Sequence, residues 1–196
     1  MTQIVRCAAI LAGGKSSRMG REKALLPFGN EPLIARIAGV LAPIFPQICV
    51  VTPKTEIAEA AYLPMISDSF PNRGPLGGIH TALGHFEAPT FVLACDMPFL
   101  NADFIRFLAQ NFNGSALVPQ NEGGFEPLHA VYAPQNLPIF ESHLRGNGKM
   151  PPLRRILEEI EAQWVSVEVA RRFDPTLRCF SNWNTPQDAA NLINSP

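Results

Sequence analysis

The residues with the clearest chemical potential are Lys15, Arg18 and Lys23. They fall in Leu11-Ala-Gly-Gly-Lys-Ser-Ser-Arg-Met-Gly-Arg-Glu-Lys23, directly after the apolar run Cys7-Ala-Ala-Ile-Leu11. Glycines at 13 and 14 let a chain leaving a strand turn sharply and bring backbone N–H groups close to an anion. The three cations would neutralise the charge that those N–H groups orient, which is the layout of a polyphosphate cradle. It is not a P-loop, since no Gly-Lys-Ser/Thr closes it, nor a dinucleotide fingerprint, which needs a third glycine. Gly13-Gly14 alone would serve an ordinary turn with solvated basic neighbours; Arg18 and Lys23 together carry the phosphate reading.

Asp96 follows the apolar run Phe91–Ala94. In open α/β sheets, ligands bind beyond the carboxyl ends of strands, and a carboxylate there suits Mg²⁺, which takes one or two protein oxygens and otherwise water and phosphate. The bland role is a cap on the turn that Pro98 forces. Asp68 opens a Pro- and Gly-rich loop, where a carboxylate often does no more than bond the backbone two residues on. Met97 and Phe99 read as packing residues, and no nucleophilic Ser or Cys is expected.

The elements that must position these groups follow a βαβ rhythm. Strand-like runs lie at 7–11, 47–52, 91–94 and 115–118, and helical spacing covers 32–41, 76–86 and 103–111, the last preceded by Asn101 as a cap. A late helix is expected at 151–161, a strand at 164–169, and a terminal helix at 186–193 behind Asn184-Thr185. Near-continuous apolar strands imply burial on both faces, hence α/β architecture with a mainly parallel sheet under helices.

With 196 residues, 46% hydrophobic and 17% charged, the chain suits one domain over 1–196, without linker or repeat. The 19 prolines fall mostly between periodic runs and fix turns. A formal net charge of −1 argues against general attraction to nucleic acid or an anionic membrane. The short N-terminal apolar run lacks the form of a signal peptide or membrane span, so a cytoplasmic location is expected. Four scattered cysteines suggest neither a zinc site nor a disulfide framework, and three of them sit in apolar runs as core residues.

The run Leu11–Gly29 resembles the signature of the nucleotidyltransferases that include molybdenum cofactor guanylyltransferase. Asp68–Gly78, Ala94-Cys-Asp-Met-Pro98, Glu126-Pro-Leu-His-Ala-Val-Tyr132 and Asn182-Trp-Asn-Thr-Pro186 resemble that family's later motifs, in order, across nearly the whole chain. The resemblance implies a three-layer Rossmann-like nucleotidyltransferase fold with a nucleotide-binding N-terminal half and an acceptor-binding C-terminal half. It implies transfer of GMP from GTP to the terminal phosphate of molybdopterin cofactor with release of pyrophosphate, Mg²⁺ being the cofactor. Nucleotide contacts would come from Leu11, Ala12, Gly13, Gly14, Lys15, Lys23, Asp68, Gly78 and Asp96. Lys23, Arg18 and Asp96 would be catalytic, with Asp96 holding the metal. Acceptor contacts would come from Glu126, Pro127, Asn182 and Asn184. Transient contacts with a molybdenum insertase and with molybdoenzymes or their chaperones are implied as well, and no nucleic acid or membrane.

Several roles stay open at this level. Asn184 is a helix cap or an acceptor contact, Trp183 stacks on a heterocycle or anchors the core, and Arg145–Met150 is a solvated turn or a cover for the acceptor phosphate. His80 reads as a packing or surface residue. Relatives often carry Asp where Glu22 stands, and tend to carry Asn where this chain reads Thr52-Pro53-Lys54. A cytidylyltransferase on the same cofactor is the nearest alternative, that branch tending to an alanine at position 13. Beyond it lie a sugar-phosphate nucleotidyltransferase and a binding module without turnover.

Overall fold

The structure is a computed structural model and describes residues 4–13, 22–146 and 150–183. Its strands are β1 (Cys7–Leu11), β2 (Pro27–Phe28), β3 (Glu31–Pro32), β4 (Gln47–Val51), β5 (Met65–Ile66), β6 (Thr90–Ala94), β7 (Ala116–Asn121), β8 (Gly124–Phe125), β9 (His129–Tyr132) and β10 (Gln163–Val165). The helices are α1 (Leu33–Leu41), α2 (Thr55–Ala61), α3 (Pro75–Phe86), α4 (Ala102–Asn111), α5 (Leu137–Arg145), α6 (Leu153–Glu159) and α7 (Val167–Arg171).

The main sheet runs β10-β7-β9-β6-β1-β4-β5, with β8 pairing to β7. Pairings of β1 with β4 and β6, of β4 with β5 and of β10 with β7 are parallel, whereas β9 runs antiparallel between β6 and β7. The expected mainly parallel sheet is therefore present, with one reversed strand inside it.

Strand alternation splits the core into two. Ala8, Ile10, Val50, Phe91 and Leu93 pack against α1, α2 and α4 on one face, while Val92, Ala130 and Tyr132 pack against α3, α5 and α6 on the other. This gives three layers, and strands covered on both faces are largely apolar, as β1 (CAAIL) and β6 (TFVLA) are.

Local chemistry sets the helix ends. Asn101 accepts a hydrogen bond from the Phe104 N–H at 2.9 Å, the expected cap of α4. Pro32 is the residue before α1, in extended backbone, so it delimits the helix without entering its first turn.

Two further expectations change. The helix expected at 151–161 shortens to Leu153–Glu159, because Pro152 stands outside the helical region ahead of it (ψ 139°) and Glu161 turns left-handed behind it (φ 53°). The strand expected at 164–169 ends at Val165. Val167–Arg171 is a helix that buries Ala170, so the apolar alternation there belongs to two elements of different period. The terminal helix expected at 186–193 lies outside the described residues. Helices α2 and α5 and strand β9 were not anticipated from periodicity.

Candidate active site

Chain order sends β4 and β5 to one side of β1, then β6 to the other. Strand order thus reverses between β1 and β6, and the crevice beyond their carboxyl ends is where an open α/β sheet takes a ligand. Leu11 and Ala94 are register partners at those ends. The Cys95 N–H donates to the Leu11 carbonyl at 3.1 Å and the Ala94 N–H to the Leu128 carbonyl at 3.0 Å, so three segments meet there.

Asp96 stands just past β6, half-buried at the crevice. Lys23 reaches it from a short 3-10 turn over Lys23–Leu25, with Nζ 3.7 Å from Asp96 Oδ2. Burial raises the Asp96 carboxyl above its usual range, while Lys23 and backbone hydrogen bonding pull it back. The Trp183 N–H donates to the Asp96 carbonyl at 2.7 Å, so Asn182 also ends beside the crevice. Trp183 itself is buried, its ring edge-on to Phe28 at 5.7 Å, and Phe28 in turn meets Phe99 at 5.5 Å. Of the two roles left open for Trp183, the core anchor is the one the structure takes.

Glu126 follows the β8 strand. Its N–H donates to the Pro119 carbonyl at 2.9 Å, and the Asn121 side-chain amide donates to its carboxylate. Burial, and secondarily the negative charge of Asp96, pushes its carboxyl up to about 7. Two carboxylates from motifs far apart in sequence therefore feel one another across the crevice. The Pro127 carbonyl accepts the Tyr132 hydroxyl at 2.7 Å, a structural use of that residue.

On the other side of β1, a cavity of about 260 Å³ is lined by Leu11, Gly13, Val51, Pro53, Asp68 and Gly78, among others. Asp68 Oδ1 accepts from the Phe70 N–H at 2.9 Å and from the Thr81 hydroxyl at 3.2 Å. Its bland turn role is thus real, and the residue still lines the cavity. A Cβ on Gly77 would sit 2.7 Å from the Phe70 carbonyl oxygen and 3.0 Å from Asp68 Oδ1; on Gly78 it would sit 3.0 Å from Leu11 Cδ1. Glycine at both positions is what allows helix α3 to approach β1 and the Asp68 loop so closely.

The structure brings Leu11, Ala12, Gly13, Lys23, Asp68, Gly78, Asp96, Glu126, Pro127 and Asn182 around the carboxyl end of the sheet. Gly14, Lys15, Arg18 and Asn184 lie outside the described residues, as do 147–149 of the Arg145–Met150 turn. His80 is a packing residue as expected, its ring 4.9 Å from Phe70, and burial lowers its pKa. Sequence reasoning passed over Asn121, although Asn121-Glu122-Gly123-Gly124 is a hairpin-turn signal and would have placed Asn121 opposite the Glu126 motif.

Among the described residues no group of three or more His, Cys, Asp and Glu is placed to hold a metal ion. The donors at the crevice are hard carboxylate oxygens in ones and twos, the set that fits Mg²⁺ shared with phosphates and a poor set for a soft metal. Among the described residues no helix is long and apolar enough to cross a membrane.

A three-layer sheet with a Lys–Asp pair at its switch point and a glycine-lined cavity beside it defines a nucleotidyltransferase class of protein. The sequence matches the MobA-like NTP transferase domain over residues 8–165, and the chain belongs to that family. It is 37% identical to a molybdenum cofactor guanylyltransferase of Syntrophotalea carbinolica over 92% of this chain and 87% of that one. A probable molybdenum cofactor guanylyltransferase of Carboxydothermus hydrogenoformans is 44% identical over 69% of this chain and 70% of its own. The crystal structure of molybdopterin-guanine dinucleotide biosynthesis protein A from Archaeoglobus fulgidus superposes with a TM-score of 0.78 at 29% identity, covering 94% of this chain and 95% of that one.

Proposed function

We propose that this protein transfers GMP from GTP to the terminal phosphate of molybdopterin cofactor, releasing pyrophosphate. The observation that carries the reading is the meeting of Lys23 and Asp96 from the N-terminal motifs with Glu126 and Asn182 from the C-terminal ones at a single crevice. The N-terminal half would hold the nucleotide and the C-terminal half the acceptor, within one domain.

In this reaction an acceptor phosphate oxygen attacks the α-phosphorus of GTP, and the bond from that phosphorus to the bridging oxygen of pyrophosphate breaks. Little covalent work is asked of the protein, so rate comes from positioning and from stabilising charge. The base would enter the Leu11–Gly78 cavity, where the edges of Asp68 and the backbone beside Gly13 are available for polar contact. Lys23 would leave its 3.7 Å partnership with Asp96 to neutralise the phosphates, joined by Arg18 and Lys15. Glu126, with Asn182 and Asn184, would orient the acceptor. Asp96 would hold Mg²⁺, whose contribution when bound is to neutralise phosphate charge at the reacting centre. Contacts with an insertase or a receiving molybdoenzyme belong to the same proposal, as does a cytoplasmic location.

The test is pyrophosphate release with Mg²⁺ and molybdopterin cofactor, comparing GTP, CTP, ATP and UTP, with Asp96→Ala as control. Turnover with GTP that the variant lacks supports the reading. Preference for CTP moves the chain to a cytidylyltransferase, and no turnover with any nucleotide leaves a binding module.

A further inference from the structure

Glu22 and the Thr52-Pro53-Lys54 turn, the two positions set against the family pattern in the sequence, touch each other. Lys54 Nζ and the Glu22 carboxylate form an ion pair across 32 residues of sequence. Lys54 belongs to the turn after β4, and that turn also holds the start of the glycine loop. The Thr52 hydroxyl, fully buried, donates to the Ala12 carbonyl at 3.2 Å, the Ala12 N–H donates to the Val51 carbonyl at 3.0 Å, and the Lys54 N–H donates to the Thr52 hydroxyl oxygen at 3.2 Å. One short turn, Val51–Lys54, is therefore fastened to Ala12 at the start of the loop and to Glu22 at its end.

Glu22 is also electrostatically within reach of the crevice, since its charge acts on Cys95, the neighbour of Asp96. An unpaired carboxylate there would repel a nucleotide's phosphates and compete with Asp96 for Lys23, which is adjacent in sequence. Lys54 removes both problems.

Resting on the function proposed above, we propose that Lys54 and Glu22 are a positioning pair: Lys54 neutralises Glu22 and fixes the stem from which Lys23 reaches the nucleotide phosphates. Neither residue needs to touch the nucleotide for this. The closest rival gives Lys54 a direct phosphate contact with Glu22 holding it back, and the two differ in sign. Under the positioning reading, Glu22→Gln loosens the stem and weakens nucleotide binding; under the direct-contact reading, the same change removes a nearby negative charge, frees Lys54 and tightens binding.

The experiment is a double-mutant cycle on nucleotide affinity, with Glu22→Gln, Lys54→Gln and the double variant, measured by fluorescent-nucleotide binding with whichever triphosphate the unaltered protein prefers. Melting temperatures check folding, and KM for nucleotide and for acceptor are measured separately. A half-exposed pair of this kind should give about a fivefold loss of nucleotide affinity in each single variant. The double variant should be no weaker than the worse single, because the two changes break one interaction. KM for the acceptor should not move, which separates positioning of the nucleotide from general damage. Tighter binding in Glu22→Gln, additive losses, or equal changes in both KM values would each overturn the pair. Preference for another nucleotide corrects the proposed substrate and leaves the cycle readable, and a protein that binds none refutes both proposals.

Discussion

The N–H of Trp183 donates to the carbonyl of Asp96 at 2.7 Å, tying the last described segment to the carboxylate at the centre of the crevice. This bond runs between backbones, so it depends on Trp183 only through the packing that fixes the segment, with Phe28 at 5.7 Å and Phe99 beyond it.

Replacing Trp183 by Ala should therefore injure both fold and site. Truncating a buried aromatic costs about 3–5 kcal/mol, and the segment that carries Asn182 loses its anchor. Trp183→Phe keeps an aromatic wedge and should recover more than half of that stability. Urea unfolding measures the first effect and acceptor KM the second; an unaltered acceptor KM in the Ala variant would separate Asn182 from the site.

Lys23 and Asp96 should show the opposite balance. Their contact is 3.7 Å and part-exposed, a pair worth at most about 1 kcal/mol to the fold. Lys23→Ala and Asp96→Asn should melt near the unaltered protein while losing about a hundredfold or more in kcat, as expected when one transition-state charge contact is removed. Steady-state pyrophosphate release with melting controls decides it.

Two glycines make a matched comparison. A methyl at Gly77 meets the Phe70 carbonyl oxygen at 2.7 Å, so Gly77→Ala forces backbone apart and should cost about 1–3 kcal/mol. At Gly13 the nearest atoms are Pro53 Cδ at 3.8 Å and Val51 O at 3.9 Å, ordinary contacts. Gly13→Ala should fold normally and instead take space from the nucleotide cavity, lowering the GTP to CTP preference. Relative kcat/KM for the two nucleotides, read beside melting temperature, tests both variants at once.

Much of this site was legible because strands buried on both faces are continuous apolar runs, and the groups that follow them lie at the ligand end of a parallel sheet. Gly13 after β1 and Asp96 after β6 could be placed on that ground alone. The role of the Thr52–Lys54 turn was not legible in the sequence, since it lies in side-chain bonds to Ala12 and Glu22 that no local pattern encodes. Strand β9 was hidden for a related reason: His129-Ala-Val-Tyr132 is short, and its antiparallel placement between β6 and β7 is a matter of long-range pairing. Helix α7 was misread because Val165, Val167 and Val169 alternate like a strand, whereas burying Ala170 requires a helix after Ser166.

Glu126 should couple stability to acceptor use. Its carboxyl stands near 7 in the fold against an ordinary value near 4.5, so the folded protein holds the extra proton between those values. Stability from this group is complete below about 4.5 and is lost as pH rises through 7, by at most about 3 kcal/mol before solvent screening. Glu126→Gln should thus be more stable than the unaltered protein at pH 8 and equal to it near pH 4, while its KM for acceptor rises. Chemical denaturation at the two pH values, with acceptor titrations at pH 8, provides the check.

His129 reverses the sign of that dependence. It is fully buried among Phe91, Phe104 and Phe180, with ring centroids 5.3, 5.8 and 5.4 Å away, and neither ring nitrogen has a hydrogen-bond partner among the described residues. Burial lowers its pKa from 6.5 to about 3, so the unfolded chain binds the proton first as pH falls. Above 6.5 the ring is neutral in both states and contributes no pH dependence; between 6.5 and 3 the fold loses about 1.4 kcal/mol per pH unit on its account. At pH 5 the loss is about 2 kcal/mol. His129→Leu, similar in volume and without a titrating group, should flatten the stability profile over that window, so that its stability relative to the unaltered protein improves by about 2 kcal/mol between pH 7.5 and pH 5. Denaturant midpoints across the range measure this, and an unchanged slope in the variant would assign the acid sensitivity to other groups.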